Sequence, residues 1–466
     1  VVTVDCGSVS VDEVSFAKSI GLEIMITDHH EPGETLPDCI LINPKRRISA
    51  GAEGADSAEN TAGAGNGSES AENSAESRGY PFAGLCGCAV AFKLACAMFD
   101  RAAIKTKGSR EVLHQLVDLA AIATIADIMP LCDENRTFVK YGLDLIRKRK
   151  RKALAVLLES MGTEPADVSA KEVSFGVAPR INAVGRLGNA SEAVEFFITK
   201  DEVRMREIAA RMNASNKERR QLQDACYRSC MEICEEDTDG EGRPAHRFLL
   251  LRPAVFHEGI SGIVAGQIRE KTGLPCAVFA DSGDCLKASA RSVGHLDMIA
   301  LLRRHEQLLL RVGGHAMAAG FMIRKEDETP LREALNRDLD GLLAADPRLL
   351  EEREPADAAL DPADVDIALA EALGVMAPFG AGNPKPRVEL NIRAGDISRL
   401  YYLGEGAHAR FSVSGIPCIF FRGAEALSRA MEAGGKIRVI GCPEINTWNG
   451  KRGLQFVVNC CIGAAD

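Results

Sequence analysis

Asp5, Asp28, His29, His30 and Asp127 are the residues whose types and spacing point most directly to chemistry. Asp28-His29-His30 closes the apolar run Leu22-Glu23-Ile24-Met25-Ile26-Thr27, and Asp5 closes the shorter run Val1-Val2-Thr3-Val4. Both runs read as buried strands, so two strand ends deliver two carboxylates and two imidazoles. In a parallel α/β sheet the carboxyl ends of the strands form the ligand crevice. A cluster of Asp and His there suits a hard or borderline divalent metal. The bland reading of the triplet is a polar turn after a strand. Asp127 lies in Ala123-Thr124-Ile125-Ala126-Asp127-Ile128-Met129-Pro130-Leu131. A carboxylate in that apolar setting needs a partner or a metal; the alternative is a helix-terminal Asp facing water.

Two further stretches suit an anionic ligand. Pro179-Arg180-Ile181-Asn182-Ala183-Val184-Gly185-Arg186-Leu187-Gly188 reads as a loop with two arginines, an amide and two glycines. Arg supplies a bidentate fork to phosphate, and Gly lets the backbone approach the anion. Gly313-Gly314-His315-Ala316-Met317-Ala318-Ala319-Gly320 reads as a turn that allows close approach of a ligand, or as a plain tight turn.

The elements that must position these residues follow from periodicity. Residues 1–50 read β-α-β with a helix near 11–20, and Cys39–Pro44 adds a short strand. Gly84–Ala103 and Leu113–Ile128 read as helices, as do residues 135–160. That last stretch carries the run Arg147-Lys148-Arg149-Lys150-Arg151-Lys152, read as a solvated helix end with phosphate contact as the lesser reading. Residues 190–236 read as long connector helices. A second α/β unit follows, with strands Phe248–Val255, Cys276–Ala280 and Leu286–Ala290 and helices at 260–272, 296–312 and 329–345. Beyond about 355, five short period-two runs with Gly-rich turns read as a small OB-type barrel.

The 466 residues allow roughly three domains, and 46% hydrophobic with 26% charged residues fits an ordinary globular protein. No run of 18 apolar residues occurs, so no membrane span is expected. The fifteen cysteines include no Cys-x-x-Cys pair, which disfavours a zinc site or a disulfide framework and favours reduced thiols. The net charge of −10 argues at first against a nucleic-acid partner. Half of it resides in residues 51–79, where six carboxylates face Arg78 alone. That Gly/Ala/Ser/Asn/Glu-rich segment reads as a disordered surface insertion. The remainder leaves room for a local basic groove. The chain opens directly inside a strand, and we read it as truncated at its N-terminus.

Taken together, the motifs resemble the DHH phosphoesterase superfamily and, within it, the RecJ family of single-strand-specific exonucleases. The resemblance rests on Val4-Asp5-Cys6-Gly7, Thr27-Asp28-His29-His30, Asn43-Pro44-Lys45-Arg46, Tyr80-Pro81-Phe82-Ala83-Gly84-Leu85 and Ala126–Leu131. It continues through Pro179–Gly188, His257–Ala265, Ser289-Ala290-Arg291-Ser292 and Gly313-Gly314-His315. Pro378-Phe379-Gly380-Ala381-Gly382-Asn383-Pro384 and Asn446-Thr447-Trp448-Asn449-Gly450 are similar to the family's barrel domain. The resemblance implies four parts. They are a parallel-sheet DHH domain at 1–189 (its N-terminal part missing, with the insertion at 50–79), a helical connector at 190–237, a DHH-associated substrate-binding domain at 238–346 and an OB-type nucleic-acid-binding domain at 355–466.

It also implies roles. Asp5 would bridge two divalent ions, Mn²⁺ or Mg²⁺, with His29 and Asp127 as further ligands. Asp28 would orient a ligand, and His30 would face the scissile phosphate. Arg180, Asn182, Arg186, His257, Ser289, Arg291, Gly313, Gly314 and His315 would contact substrate. Tyr401, Tyr402 and Trp448 are the candidate stacking residues. The implied activity is two-metal 5′→3′ hydrolysis of single-stranded DNA in recombination and repair, in a cytoplasmic monomer. A single-strand-binding protein and a RecQ-type helicase are implied partners. A narrow cleft between the two α/β domains would exclude a duplex. The chain departs from the family pattern in three ways. It has no early Asp-x-Asp motif, Ala123 replaces a frequent Gly, and Phe256 and Gly266-Gln267 replace the usual Trp and Ser-Arg. Alternatives are a DHH nanoRNase or nucleotide phosphatase, a non-catalytic single-strand-binding scaffold, and an inorganic pyrophosphatase. The first generally lacks the C-terminal barrel, and the last is much shorter and has a different second domain.

Overall fold

The computed structural model describes residues 1–48, 78–101, 107–187, 189–238, 244–351, 355–448 and 451–464. The expected insertion therefore lies, except for its last two residues, outside the described residues, as do Asn449 and Gly450. The chain divides into two units, Val1–Pro179 with Ile367–Pro386, and Arg180–Asp366 with Arg387–Asp466.

The first unit opens with β1 (Val2–Val4), α1 (Val11–Ser19), β2 (Met25–Thr27) and β3 (Ile40–Ile42). The strands form a parallel sheet in the order β1-β2-β3, with Val4 opposite Thr27 and Thr27 opposite Ile42. The three strands thus end level, and the next residues are Asp5, Asp28 and Asn43. Ile26 and Leu41 bury against Val14 of α1, which fixes the register of the polar residues that follow. A two-residue ladder, β4 (Arg47–Ile48) with β5 (Arg78–Gly79), comes next. Helices α2 (Gly87–Arg101), α3 (Lys107–Ala126), α4 (Asp133–Arg147) and α5 (Lys152–Ser160) complete the scaffold.

The basic run is solvated at a helix end, with Arg147 to Lys150 exposed, but the helix expected over 135–160 is interrupted within it. α4 stops at Arg147, Arg149 adopts φ 53°, and α5 restarts at Lys152. Arg151 closes a bidentate fork on buried Asp118 at 2.8 and 2.9 Å. Arg147 Nε donates to the Val168 carbonyl at 2.8 Å. These charges tie helices together, which composition alone does not reveal.

A short α6 (Ala170–Glu172) and a π turn at Val173–Val177 lead into α7 (Ala178–Leu187). The arginine-rich stretch expected as a loop is therefore helical. Pro179 stands in the first turn, where a missing N–H is tolerated, and Ala, Arg and Leu favour the helix.

The second unit continues with α8 (Ser191–Ile198) and α9 (Glu202–Glu236), then β6 (Leu249–Leu251), α10 (Ser261–Thr272), β7 (Cys276–Ser282) and β8 (Cys285–Arg291). After α11 (Met298–Arg303) come β9 (Arg311–His315), β10 (Ala318–Arg324) and α12 (Glu328–Ala345). The sheet order is β6-β7-β8-β10-β9. One face buries Phe248, Phe279 and Phe321 beneath Leu331, Leu335 and Leu339 of α12. The other buries Cys276 and Val278 beneath Val264 and Ile268 of α10, with Cys226 and Cys230 of α9 in the same cluster. The helix expected at 296–312 ends at Arg303, and Gly313-Gly314-His315 is strand rather than turn. Pairing with β10 overrides the weak strand propensity of the two glycines.

A third sheet contains β11 (Ala358–Leu360), β12 (Val388–Arg393), β13 (Ile397–Leu403), β14 (His408–Val413), β15 (Ile416–Phe420), β16 (Lys436–Trp448) and β17 (Lys451–Ala464). Its order is β11-β12-β16-β17-β15-β14-β13. The period-two reading missed β11 and β13. In β13 a register shift between Ser398 and Tyr401, with Arg399 at φ 51°, breaks the alternation.

Candidate metal centre and phosphate face

Asp5 follows β1 in the left-handed region, φ 66°, and its N–H donates to the Thr27 carbonyl at 2.9 Å. His29 follows β2 and is buried. Its Nε2 lies 3.1 Å from Asp5 Oδ1 and 3.3 Å from Asp127 Oδ2, at the end of α3. Among the described residues neither ring nitrogen of His29 has a hydrogen-bond partner. Burial pushes the Asp127 carboxyl above its ordinary value, opposed by His29 and reinforced by Asp5. Two carboxylates converging on an unpartnered imidazole nitrogen are the donor set of a divalent cation site. Ligand atoms of Asp5, His29 and His30 also lie within 4.8 Å of one another.

Asp28 is buried and points back into the loop. It accepts from Ser8 N at 2.9 Å, His29 N at 2.7 Å and His30 Nδ1 at 2.8 Å. Burial works against its charge, but the bonds from Ser8 and His30 outweigh it and hold the carboxyl far below the usual range. Asp28 therefore fixes the ring of His30, whose side chain is 62% exposed.

Two supports were given no role by sequence reasoning, although Asn43 lies in one of the motifs quoted above. Asn43 Nδ2 donates to Ser8 Oγ and to the His30 carbonyl, both at 2.8 Å. Gly87, at the start of α2, faces Asp5 so closely that a Cβ there would overlap Oδ1. The Asn43-Pro44 signal after a third strand end was available for the first; the second carries no local signal.

The Pro378–Pro384 segment packs in this first unit. The Leu131 N–H donates to the Ala381 carbonyl at 2.6 Å, and Arg136 Nη2 donates to the Ala377 carbonyl at 3.2 Å. Gly382, at φ 69°, lies where a Cβ would come 2.8 Å from Pro130. An apolar cavity of about 480 Å³ lies between this segment, Ile128–Leu131 and Phe175.

In the second unit the register gathers other expected residues on one sheet face. Arg291 pairs with Ala318, which pairs with His315. Ser289 pairs with Gly320, which pairs with Gly313. Ser261 Oγ lies 3.0 Å from Ser289 Oγ, and Gly262 leaves room for Arg291 Nη2, which a Cβ would approach to 3.0 Å. Burial presses against the Arg291 charge, and among the described residues its guanidinium bonds only the Ala290 carbonyl, at 2.9 Å. Gly314, φ 146°, alternates to the opposite face, where a Cβ would overlap the Ala318 carbonyl. The half-buried His257 accepts at Nδ1 from Gly259 N at 3.1 Å. On α7, Arg180 Nε donates to Asn213 at 2.6 Å and Asn182 is exposed. The Arg186 side chain and Gly188 lie outside the described residues.

Three family models match this chain. They are the DHH family N-terminal domain over residues 1–124, the DHHA1 domain over 246–340 and the RecJ OB domain over 356–459. The chain belongs to the DHH family. Its motif residues Asp5 and Asp28–His30 fall in the first match, and Ser289, Arg291 and Gly313–His315 fall in the second. The single-stranded-DNA-specific exonuclease RecJ of Bacillus subtilis is 30% identical over 466 residues, 98% of this chain and 53% of that protein. The chain thus spans about half the length of this relative. The crystal structure of RecJ in complex with Mn²⁺ from Thermus thermophilus aligns with a TM-score of 0.75 at 28% identity, covering 99% of this chain and 61% of that one. The Mg²⁺ complex of the same protein aligns at 0.68 and 28% identity, covering 81% and 56%. No helix among the described residues is long and apolar enough to cross a membrane.

Proposed function

We propose that this chain carries the catalytic region of a single-strand-specific 5′→3′ exonuclease that hydrolyses DNA phosphodiesters at a divalent-metal centre, in recombination and repair. The observation that carries the proposal is the buried His29 ring, unpartnered at both nitrogens among the described residues and faced by Asp5 and Asp127. Asp5, His29 and Asp127 would hold Mn²⁺ or Mg²⁺, with Asp5 shared between two ions. Bound there, such ions supply an activated water and charge stabilisation for an in-line displacement. Asp28 keeps the Nδ1–H tautomer of His30 in place, so the exposed edge of that ring meets the scissile phosphate. Ser289 and Arg291 would receive a phosphate of the strand. Tyr401 and Tyr402, exposed on β13, would stack bases farther along it. The single strand is the substrate, and a single-strand-binding protein and a RecQ-type helicase in the cytoplasm are the proposed partners.

The test is nucleotide release with Mn²⁺ from 5′-phosphorylated single-stranded DNA and from the matching blunt duplex, using the full-length natural protein. Release from the 5′ end of the single strand alone is expected. His29→Ala should abolish it and leave single-strand binding intact. Tight binding without release would instead support a non-catalytic scaffold, and turnover by His29→Ala would refute the metal assignment.

A further inference from the structure

The sheet face that carries Ser289 and Arg291 extends one step beyond them. Two residues back along β8 stands Lys287, paired with Met322 of β10, which pairs in turn with Arg311 of β9. Lys287, Ser289 and Arg291 alternate with buried Leu286, Ala288 and Ala290, so all three project from the same face. A cavity of about 380 Å³ opens over the Ser289 and Lys287 rows and is bounded by Glu258 and Ser261. Its floor is low because Gly313 and Gly320 contribute no side chains. Lys287 Nζ meets Glu258 Oε1 at 2.8 Å. Arg311 is exposed, and its guanidinium has no hydrogen bond or ion pair with any described residue. One carboxylate against two cations leaves this row positive.

The spacing matches a second anion. Rows two residues apart on a strand are separated by about 6.7 Å, comparable to the distance between neighbouring phosphates of an extended nucleic-acid strand. We propose that Lys287 and Arg311 form a second phosphate subsite. It takes the backbone phosphate adjacent to the one received by Ser289 and Arg291, and Glu258 is the counter-ion that Lys287 gives up. The inference rests on the single-strand reading given above and deepens it. It names two positioning residues on the strand's path.

The experiment measures binding without turnover, in metal-free buffer, as a function of salt. The probes are a 5′-phosphorylated thymidine 12-mer and thymidine 5′-monophosphate. Each phosphate neutralised on a single strand contributes about 0.7 to the slope of log K against log salt. Arg311→Ala should lower the 12-mer slope by about 0.7, leave monophosphate affinity unchanged and keep the wild-type melting temperature. Arg311→Lys should restore the slope, and Glu258→Gln should tighten 12-mer binding. An unchanged slope in both Arg311→Ala and Lys287→Ala, with wild type binding the 12-mer normally, overturns the subsite alone. A wild-type protein that binds no single strand overturns the exonuclease reading and the subsite with it.

Discussion

Asp5 occupies a backbone region that costs an L-residue energy, and it is held there by the Thr27 carbonyl and by the bare face of Gly87. Strain of this kind persists where surrounding structure over-determines it. Gly87→Ala should displace Asp5, and a misplacement near 1 Å lowers turnover about a hundredfold. Steady-state rates at saturating Mn²⁺ would show it, with circular dichroism reporting an intact fold. Asn43→Ala removes both restraints on Ser8 and the His30 carbonyl. Loss of a group that orients a metal site costs about 10- to 100-fold in affinity or activity. Mn²⁺ titration should register that loss while the far-ultraviolet spectrum stays unchanged.

Helix contacts determine how firmly the α3 end, and so Asp127, is held. Gly142 of α4 abuts Ala121 and Val117 of α3, and a Cβ there would overlap Ala121. Beside the same contact, the Arg151–Asp118 fork ties α3 to the start of α5. Removing one partner of such a buried ion pair costs about 3 kcal/mol, so Arg151→Ala should lower unfolding free energy by that amount in urea titration. Glu134 of α4 accepts from Tyr80 at 2.6 Å and Lys93 at 2.9 Å. Burial pushes its carboxyl up, but the bonds from Tyr80 and Lys93 outweigh it and leave the folded value lowered. Its contribution is therefore full above the ordinary Glu value, about 4.3, and is lost as pH falls through the lower folded value. Glu134→Gln should flatten the acid limb of a stability–pH profile. These elements also show what sequence could express. The strand ends at Asp5 and Asp28 were legible because apolar runs stop there. The α4–α5 break and the β9 strand were not, because ion-pair geometry and sheet pairing decide them, and neither leaves a periodic trace. The resemblance of the motifs located the residues; the register placed Arg291, Ala318 and His315 in one row.

At the scale of the molecule, the first unit is not one continuous stretch of chain. Residues 367–386 belong to it, although the third sheet flanks them on both sides. Sequence adjacency assigns Pro378–Pro384 to the barrel domain. The bonds to Leu131 and Arg136 join it to the residues just beyond Asp127. A chain truncated after residue 350 should therefore bind Mn²⁺ more weakly than the intact chain and melt earlier in its first unit. Calorimetry on both forms would reveal this, and equal metal affinity would exclude the coupling. The same arrangement bears on the order of synthesis. Domains ordinarily fold as they emerge, N-terminal first. Here the polypeptide must be translated through Pro386 before the turn behind Asp127 gains its Ala381 partner. A nascent chain stalled within the second sheet already carries Asp5, His29 and Asp127, but it lacks the segment that steadies the last of them. Synthesis thus reaches Ala381, more than 250 residues beyond Asp127, before the candidate metal site gains its last support.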